Sequence, residues 1–215
     1  RMDDLLSEEE RAIRDEVLAL TTSPLYEDRI KNGAHPVIGE GHHGARAMFI
    51  GEAPGRNEAA TGRPFVGATG KILDQLFASI DIDRSSVYIT NIVKDRPPSN
   101  RDPFPEEIAS YGPFLDRQIQ LIQPEVLIPL GRYAAAYLME HFGCKDKLAP
   151  ISALHGTVIA TKASYGPITI VPLYHPAVAV YNASTKETLI RDFAVLKTLN
   201  IQPKMLVSDG AISGE

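Results

Sequence analysis

Apolar runs and amphipathic stretches alternate along the chain, and the alternation predicts its elements. Ala47, Met48, Phe49 and Ile50 form an unbroken apolar run that stops at Gly51, the pattern of a strand buried on both faces. Beyond a loop with Pro54 and Gly55, a helix is predicted from about Gly67, because Ile72, Leu73, Leu76, Phe77 and Ile80 recur at helical spacing. Residues 87–91 read as a second strand, and residues 105–122 as a helix opened by Pro105, where a missing N–H costs nothing. A third strand at 126–130 leads into a helix at 131–142. Residues 157–161 and 168–174 are strand-like, with a turn at 164–167, and 184–199 form the last helix. At the start, Ser7 followed by Glu8, Glu9 and Glu10 marks a helix running to about residue 20, with acidic groups at the positive end of its dipole. Residues 21–44, rich in glycine and proline, are predicted as loop.

Strands alternating with helices predict an α/β fold. With 215 residues, 44% of them hydrophobic, one substantial core is expected, so residues 1–203 are read as a single domain and 204–215 as a flexible tail. The 22 basic and 27 acidic residues give a net charge of -5, which argues against a protein that coats nucleic acid without selection. Cys144 is the only cysteine, so neither a disulfide framework nor a cluster of thiolates is available within the chain. Cys144 itself is read as a packing residue. No apolar run is long enough to cross a bilayer, and an intracellular, cytoplasmic protein without membrane contact is expected. His35, His42 and His43 lack companions at a metal-ligand spacing and are read as solvated loop residues.

In open α/β sheets, ligands bind beyond the carboxyl ends of the strands. The first strand delivers Gly51, Glu52 and Ala53 there, the second Asn91, and the last His175. Glu58 and Phe65 lie in the loop after the first strand. A P-loop is excluded, because Phe65 stands where the first glycine is required and Ile72 follows Lys71. Residues 91–105 form a long proline-rich loop carrying Lys94, Arg96 and Arg101, and loops of that length are usually functional.

Several long stretches carry a resemblance: GEGHHGARAMFIGEAPGRNE at 39–58, GRPFVGATG at 62–70, TNIVKDRPPSNRDP at 90–103, PFLDRQI at 113–119 and HPA at 175–177. Together with SPLYEDR at 23–29, the chain resembles the family 4 uracil-DNA glycosylases from about Ser23 to Lys197. The resemblance implies a three-layer α/β/α sandwich around a central, mainly parallel four-stranded sheet. It implies hydrolysis of the N-glycosidic bond of deoxyuridine in single- or double-stranded DNA, with free uracil and an abasic site as products, by a monomer working beside the nucleoid. A base inside a duplex must be flipped out to be reached, at a cost of a few kcal/mol.

By the same resemblance Phe65 stacks on the flipped base, Asn91 reads it with a donor and an acceptor, and Gly51 and Ala53 complete the pocket. His175 donates a hydrogen bond to the anion developing at uracil O2, a role worth roughly 3 to 4 kcal/mol if it matches an oxyanion-hole donor. Glu52 or Glu58 orients the water or stabilises the sugar cation, and Glu58 also guards the C5 edge. Lys94, Arg96, Ser99, Asn100 and Arg101 are expected on DNA phosphates. Val180 and Tyr181 are expected to plug the gap left by the base; relatives often carry arginine at the position of Tyr181.

The chain departs from the family at the four cysteines that hold a [4Fe-4S] cluster. The aligned residues are Leu20, Ser23, Asp95 and Tyr111, so no cofactor is expected, with Leu20 and Tyr111 packing locally and Asp95 paired to Arg29, Arg96 or Arg117. Competing expectations are excision of hypoxanthine or mismatched thymine, and a non-catalytic or covalently trapping binder of uracil-containing DNA. The trapping relatives carry a histidine in the loop after the Asn91 strand, and residues 95–105 contain none.

Overall fold

The computed structural model describes residues 2–205. Its elements in chain order are α1 (Met2–Leu18), α2 (Tyr26–Lys31), β1 (Glu40–Gly41), β2 (Ala47–Gly51), α3 (Arg56–Thr61), α4 (Ala68–Ser79), β3 (Tyr88–Asn91), α5 (Pro105–Ile122), β4 (Val126–Pro129), α6 (Arg132–His141), α7 (Ile151–Leu154), β5 (Ile159–Ala163), β6 (Gly166–Ile170) and α8 (Ala183–Val195). The residues predicted as loop between 21 and 44 hold α2 and β1, and the loop after β2 holds α3. Each is six residues or shorter, too short for periodicity to reveal.

The strands form one six-stranded sheet in the order β1-β3-β2-β4-β6-β5. β3, β2, β4 and β6 pair in parallel, and they are the four-stranded sheet expected from the resemblance. Short antiparallel strands extend it on both sides, β1 against β3 and β5 against β6. Successive residues of β2 point to opposite faces. Ala47 and Phe49 pack with Leu73 and Phe77 of α4 and Leu189 and Phe193 of α8. Met48 and Ile50 pack with Leu115 and Ile119 of α5 and Leu138 of α6. The chain is thus a three-layer α/β/α sandwich. A smaller cluster of Ile13, Val17, Leu25, Val93 and Tyr111 seats α1 and the turn into α2 beside α5.

Parallel pairing brings the carboxyl ends of the central strands to one edge. Gly51 is in register with Asn91, and a bridge between Leu130 and Leu173 carries the β4 and β6 chains to the same level. The segment predicted as tail is anchored at its first residue: Lys204 N–H donates to Gly44 O at 2.7 Å and Lys204 Nζ to Gln123 O at 2.6 Å. Residues 206–215 lie outside the described residues. No helix among the described residues is long and apolar enough to cross a membrane.

Candidate active site

A pocket of about 410 Å³ opens at this strand edge, lined among others by Glu52, Glu58, Phe65, Asn91, Arg101 and His175. A groove of similar size, about 470 Å³, lies between α1 and residues 35–39, but no central strand ends there. The edge pocket is therefore the candidate site.

Asn91 ends β3 and is 2% exposed. Its Oδ1 is buried without a hydrogen-bond partner, an arrangement that costs about 1–3 kcal/mol unless a ligand supplies a donor. Gly51 permits this placement, because a Cβ there would lie 2.3 Å from Asn91 Oδ1 and 2.7 Å from Phe65 Cζ. Phe65 adopts φ 49°, uncommon for a residue with a side chain, and its buried ring stacks against His175 with centroids 5.8 Å apart. The pocket thus offers an apolar face, an unpaired acceptor and an imidazole within one cavity.

His175 Nδ1 accepts the Ala177 N–H at 3.1 Å, which leaves the proton of the neutral ring on Nε2. Burial pushes its pKa down to about 4, so the ring is neutral at pH 7. Burial acts oppositely on Glu52, raising its pKa to about 7; nearby Asp102 raises it further and Arg132 opposes. Glu58 stands on α3 with Oε2 buried and unpartnered. Ala53 also lines the pocket.

Asp102 and Arg132 are residues that motif reading missed. They form an ion pair at 3.1 Å, and Arg132 opens α6 directly after β4. The rule that sends Asn91 to the strand edge would also have found Arg132.

The predicted DNA contacts divide. Ser99 and Asn100 are exposed on a loop with positive φ at both residues, and Arg96 Nε donates to Asn100 Oδ1 at 2.6 Å. Arg101 is clamped by Glu107 of α5 through bonds of 2.7 and 3.0 Å and lies over the Phe104 ring. Lys94 contradicts expectation: it is 0% exposed, and its ammonium is spent on Thr90, Asn91 and Gln118, out of reach of any phosphate. Past His175, Tyr181 is 99% exposed and Val180 is partly covered, while Val178, which was not singled out, reaches the pocket rim.

The residues aligned with the cluster cysteines come together but do not fit an iron-sulfur cluster. Ser23 Oγ and Tyr111 Oη are 2.6 Å apart, Tyr111 Oη donates to Asp95 Oδ2, and Asp95 Oδ1 forms an ion pair with Arg29 at 3.3 Å. These four side chains are buried, and they face one another with oxygen and nitrogen atoms where thiolates would be needed. Leu20 packs beside Tyr111 as expected. Arg117 instead pairs with Glu16. Cys144 is buried and free. His42 and His43 are half-buried rather than solvated, because His42 accepts the Gly44 N–H and His43 Nε2 lies 2.9 Å from Glu10. Among the described residues, no group of three or more His, Cys, Asp or Glu is placed to hold a metal ion.

Residues 38–197 match the family model described as the uracil DNA glycosylase superfamily. The chain is 40% identical over 204 residues to a type-4 uracil-DNA glycosylase of Sulfurisphaera tokodaii, covering 94% of this chain and 90% of that protein. Type-4 uracil-DNA glycosylases of Saccharolobus solfataricus and Archaeoglobus fulgidus are 42% and 41% identical, the first over 86% of this chain and 83% of its own length, the second over 77% and 82%.

Proposed function

The chain belongs to the uracil DNA glycosylase superfamily, alongside its type-4 members, and on that premise we propose how its pocket releases uracil from DNA. It is a uracil-DNA glycosylase acting in base-excision repair. The unpaired Asn91 Oδ1, buried above Phe65, carries the assignment. Uracil offers N3–H to that acceptor and O4 to the amide N–H, whereas cytosine carries no proton on N3 and would leave Oδ1 unpaired. Sites built around such buried polar groups reject the wrong ligand strongly.

The flipped uracil lies on Phe65 with O2 toward His175 Nε2–H. As the C1′–N1 bond breaks, its electron pair passes to uracil, and a neutral imidazole stabilises the resulting anion without giving up its proton. Water adds to C1′, and Glu52, whose pKa near 7 suits a base at neutral pH, receives the water's proton. Glu58 lies at the α3 side of the pocket, where it faces the C5 edge. Uracil leaves free, and the strand stays intact. Arg96, Ser99, Asn100 and Arg101 meet the DNA backbone, while Val178 and Tyr181 fill the gap in the stack. The protein works as a monomer without an iron-sulfur cluster, on DNA in the cytoplasm.

The test is base release from a single-stranded oligonucleotide carrying one deoxyuridine, beside Asn91→Ala and His175→Ala. Excision by the parent and losses of at least about 10²-fold in both variants are expected. Tight binding of the uracil oligonucleotide without excision would replace this reading by a binder. Oligonucleotides with hypoxanthine or mismatched thymine define the range of bases.

A further inference from the structure

Lys94 lies beneath the base-reading residue, and its whole hydrogen-bonding capacity is directed inward. Nζ donates to Asn91 O at 2.7 Å, Thr90 Oγ1 at 2.8 Å and Gln118 Oε1 at 2.5 Å. Gln118 is a buried residue of α5 and is itself held, donating from Nε2 to Ile38 O at 2.8 Å and to Tyr88 Oη at 3.3 Å. Tyr88 Oη donates in turn to Glu10 of α1. β1 pairs only with Tyr88 and Ile89, so the Asn91 carbonyl lies past the end of its neighbouring strand. The ammonium takes the place of the missing strand neighbour.

We infer that Lys94 is a positioning residue for base recognition, holding the Asn91 peptide against Gln118 so that the Asn91 amide meets the flipped base at a set height and angle. The opposite side of β3 is fixed by the sheet, since Ile92 N–H and Val93 N–H donate to Gly51 O and Glu52 O, each at 3.0 Å. Lys94 fixes the side that the sheet leaves open. An apolar side chain of similar length would fill the same space without the cost of burying a charge, so packing alone does not account for lysine here. Burial pushes its pKa down to about 7, while three acceptors within 2.8 Å call for all three ammonium protons. Bonds from an ionised donor are the stronger kind, suited to fixing a peptide.

This inference rests on the reading of the pocket as the uracil site, and its test separates the two. The measurement is a double-mutant cycle of Asn91→Ala and Lys94→Met, read as kcat/KM for the deoxyuridine oligonucleotide and as inhibition by free uracil. Lys94→Met is expected to lower kcat/KM by about 10- to 100-fold, the range for a small misplacement at a reacting centre, and to weaken uracil inhibition in parallel. Added to Asn91→Ala it is expected to change the rate less than about twofold, because the group being positioned is gone. Equal losses in both backgrounds, or a parent-like Lys94→Met, would overturn the inference. Should Lys94→Met not melt cooperatively, Gln118→Met carries the same cycle with the lysine kept. A parent that releases no uracil would instead overturn the reading of the pocket.

Discussion

Glu52 and His175 approach each other across Gly131, where a Cβ would lie 2.7 Å from Glu52 Oε1 and 3.2 Å from His175 Cβ. Gly131 also has φ 94°, which disfavours any side chain. Gly131→Ala is therefore expected to lower the single-turnover excision rate by about 10²-fold or more, since shifts near 1 Å at a reacting centre carry that cost. Rapid-quench kinetics on the deoxyuridine oligonucleotide checks it. A parent-like rate in a folded Gly131→Ala would show that the spacing of the two groups is immaterial.

The two groups respond to pH in opposite senses. Glu52, raised to about 7 by burial and by Asp102, favours its protonated form in the folded state. Its contribution to stability is full below its unfolded pKa of about 4.3 and lost as pH rises through 7. Glu52→Gln is expected to gain about 2 kcal/mol over the parent near pH 9, discounted for partial solvent access, and little near pH 4, as melting curves would record. Catalysis needs the carboxylate, so the parent rate should rise to a plateau above about pH 7. His175, pushed down to about 4, stays neutral throughout and adds no step in that range. An unchanged acid limb in Glu52→Gln would remove Glu52 from the role of base.

Asp95 lies between Tyr111 and Arg29, both buried. Asp95→Ala leaves the Arg29 guanidinium in the interior without its counter-ion, and a loss of about 3 kcal/mol is expected. Tyr111→Phe removes only the hydroxyl that joins Ser23 to Asp95 and should cost about 1–2 kcal/mol. Denaturant titration measures both, and no loss in Asp95→Ala would mean that the pair contributes nothing.

Arg96 and Lys94 are two residues apart, yet only Arg96 is placed to contribute to the salt dependence of DNA binding. Arg96 stands on the exposed loop, so Arg96→Ala should reduce the slope of log affinity against log salt for single-stranded DNA by about 0.7. Lys94→Met should leave that slope unchanged, because the ammonium is buried. Binding of a labelled oligonucleotide at several salt concentrations would show it, and a shallower slope in Lys94→Met would place the lysine on DNA after all.

Much of the framework was legible in the sequence for physical reasons. Pro105 and the residues after it marked the bounds of α5, and the end of each apolar run pointed to Glu52, Asn91 and His175 at one edge. Lys94 was misread because a cation in a polar, proline-rich segment ordinarily faces water, and its acceptor Gln118 lies 24 residues away on a helix whose facing could not be read. Of the three partners weighed for Asp95, Arg29 was settled only by the packing of α2 near it. Asp102 stood inside the stretch 90–103 without a role of its own and Arg132 lay outside every quoted stretch, and the field they impose on Glu52 exists only once the loop and α6 meet.

The buried set of Ser23, Arg29, Asp95 and Tyr111 also bears on how the protein is made. Its parts are all side chains of the chain itself, complete when synthesis ends. The clasp forms from the folded chain alone, with no iron or sulfide among its parts. None of its contacts runs through sulfur, so oxygen and peroxide meet no thiolate in this clasp, which joins residues 23 and 29 to α5 by oxygen and nitrogen atoms alone.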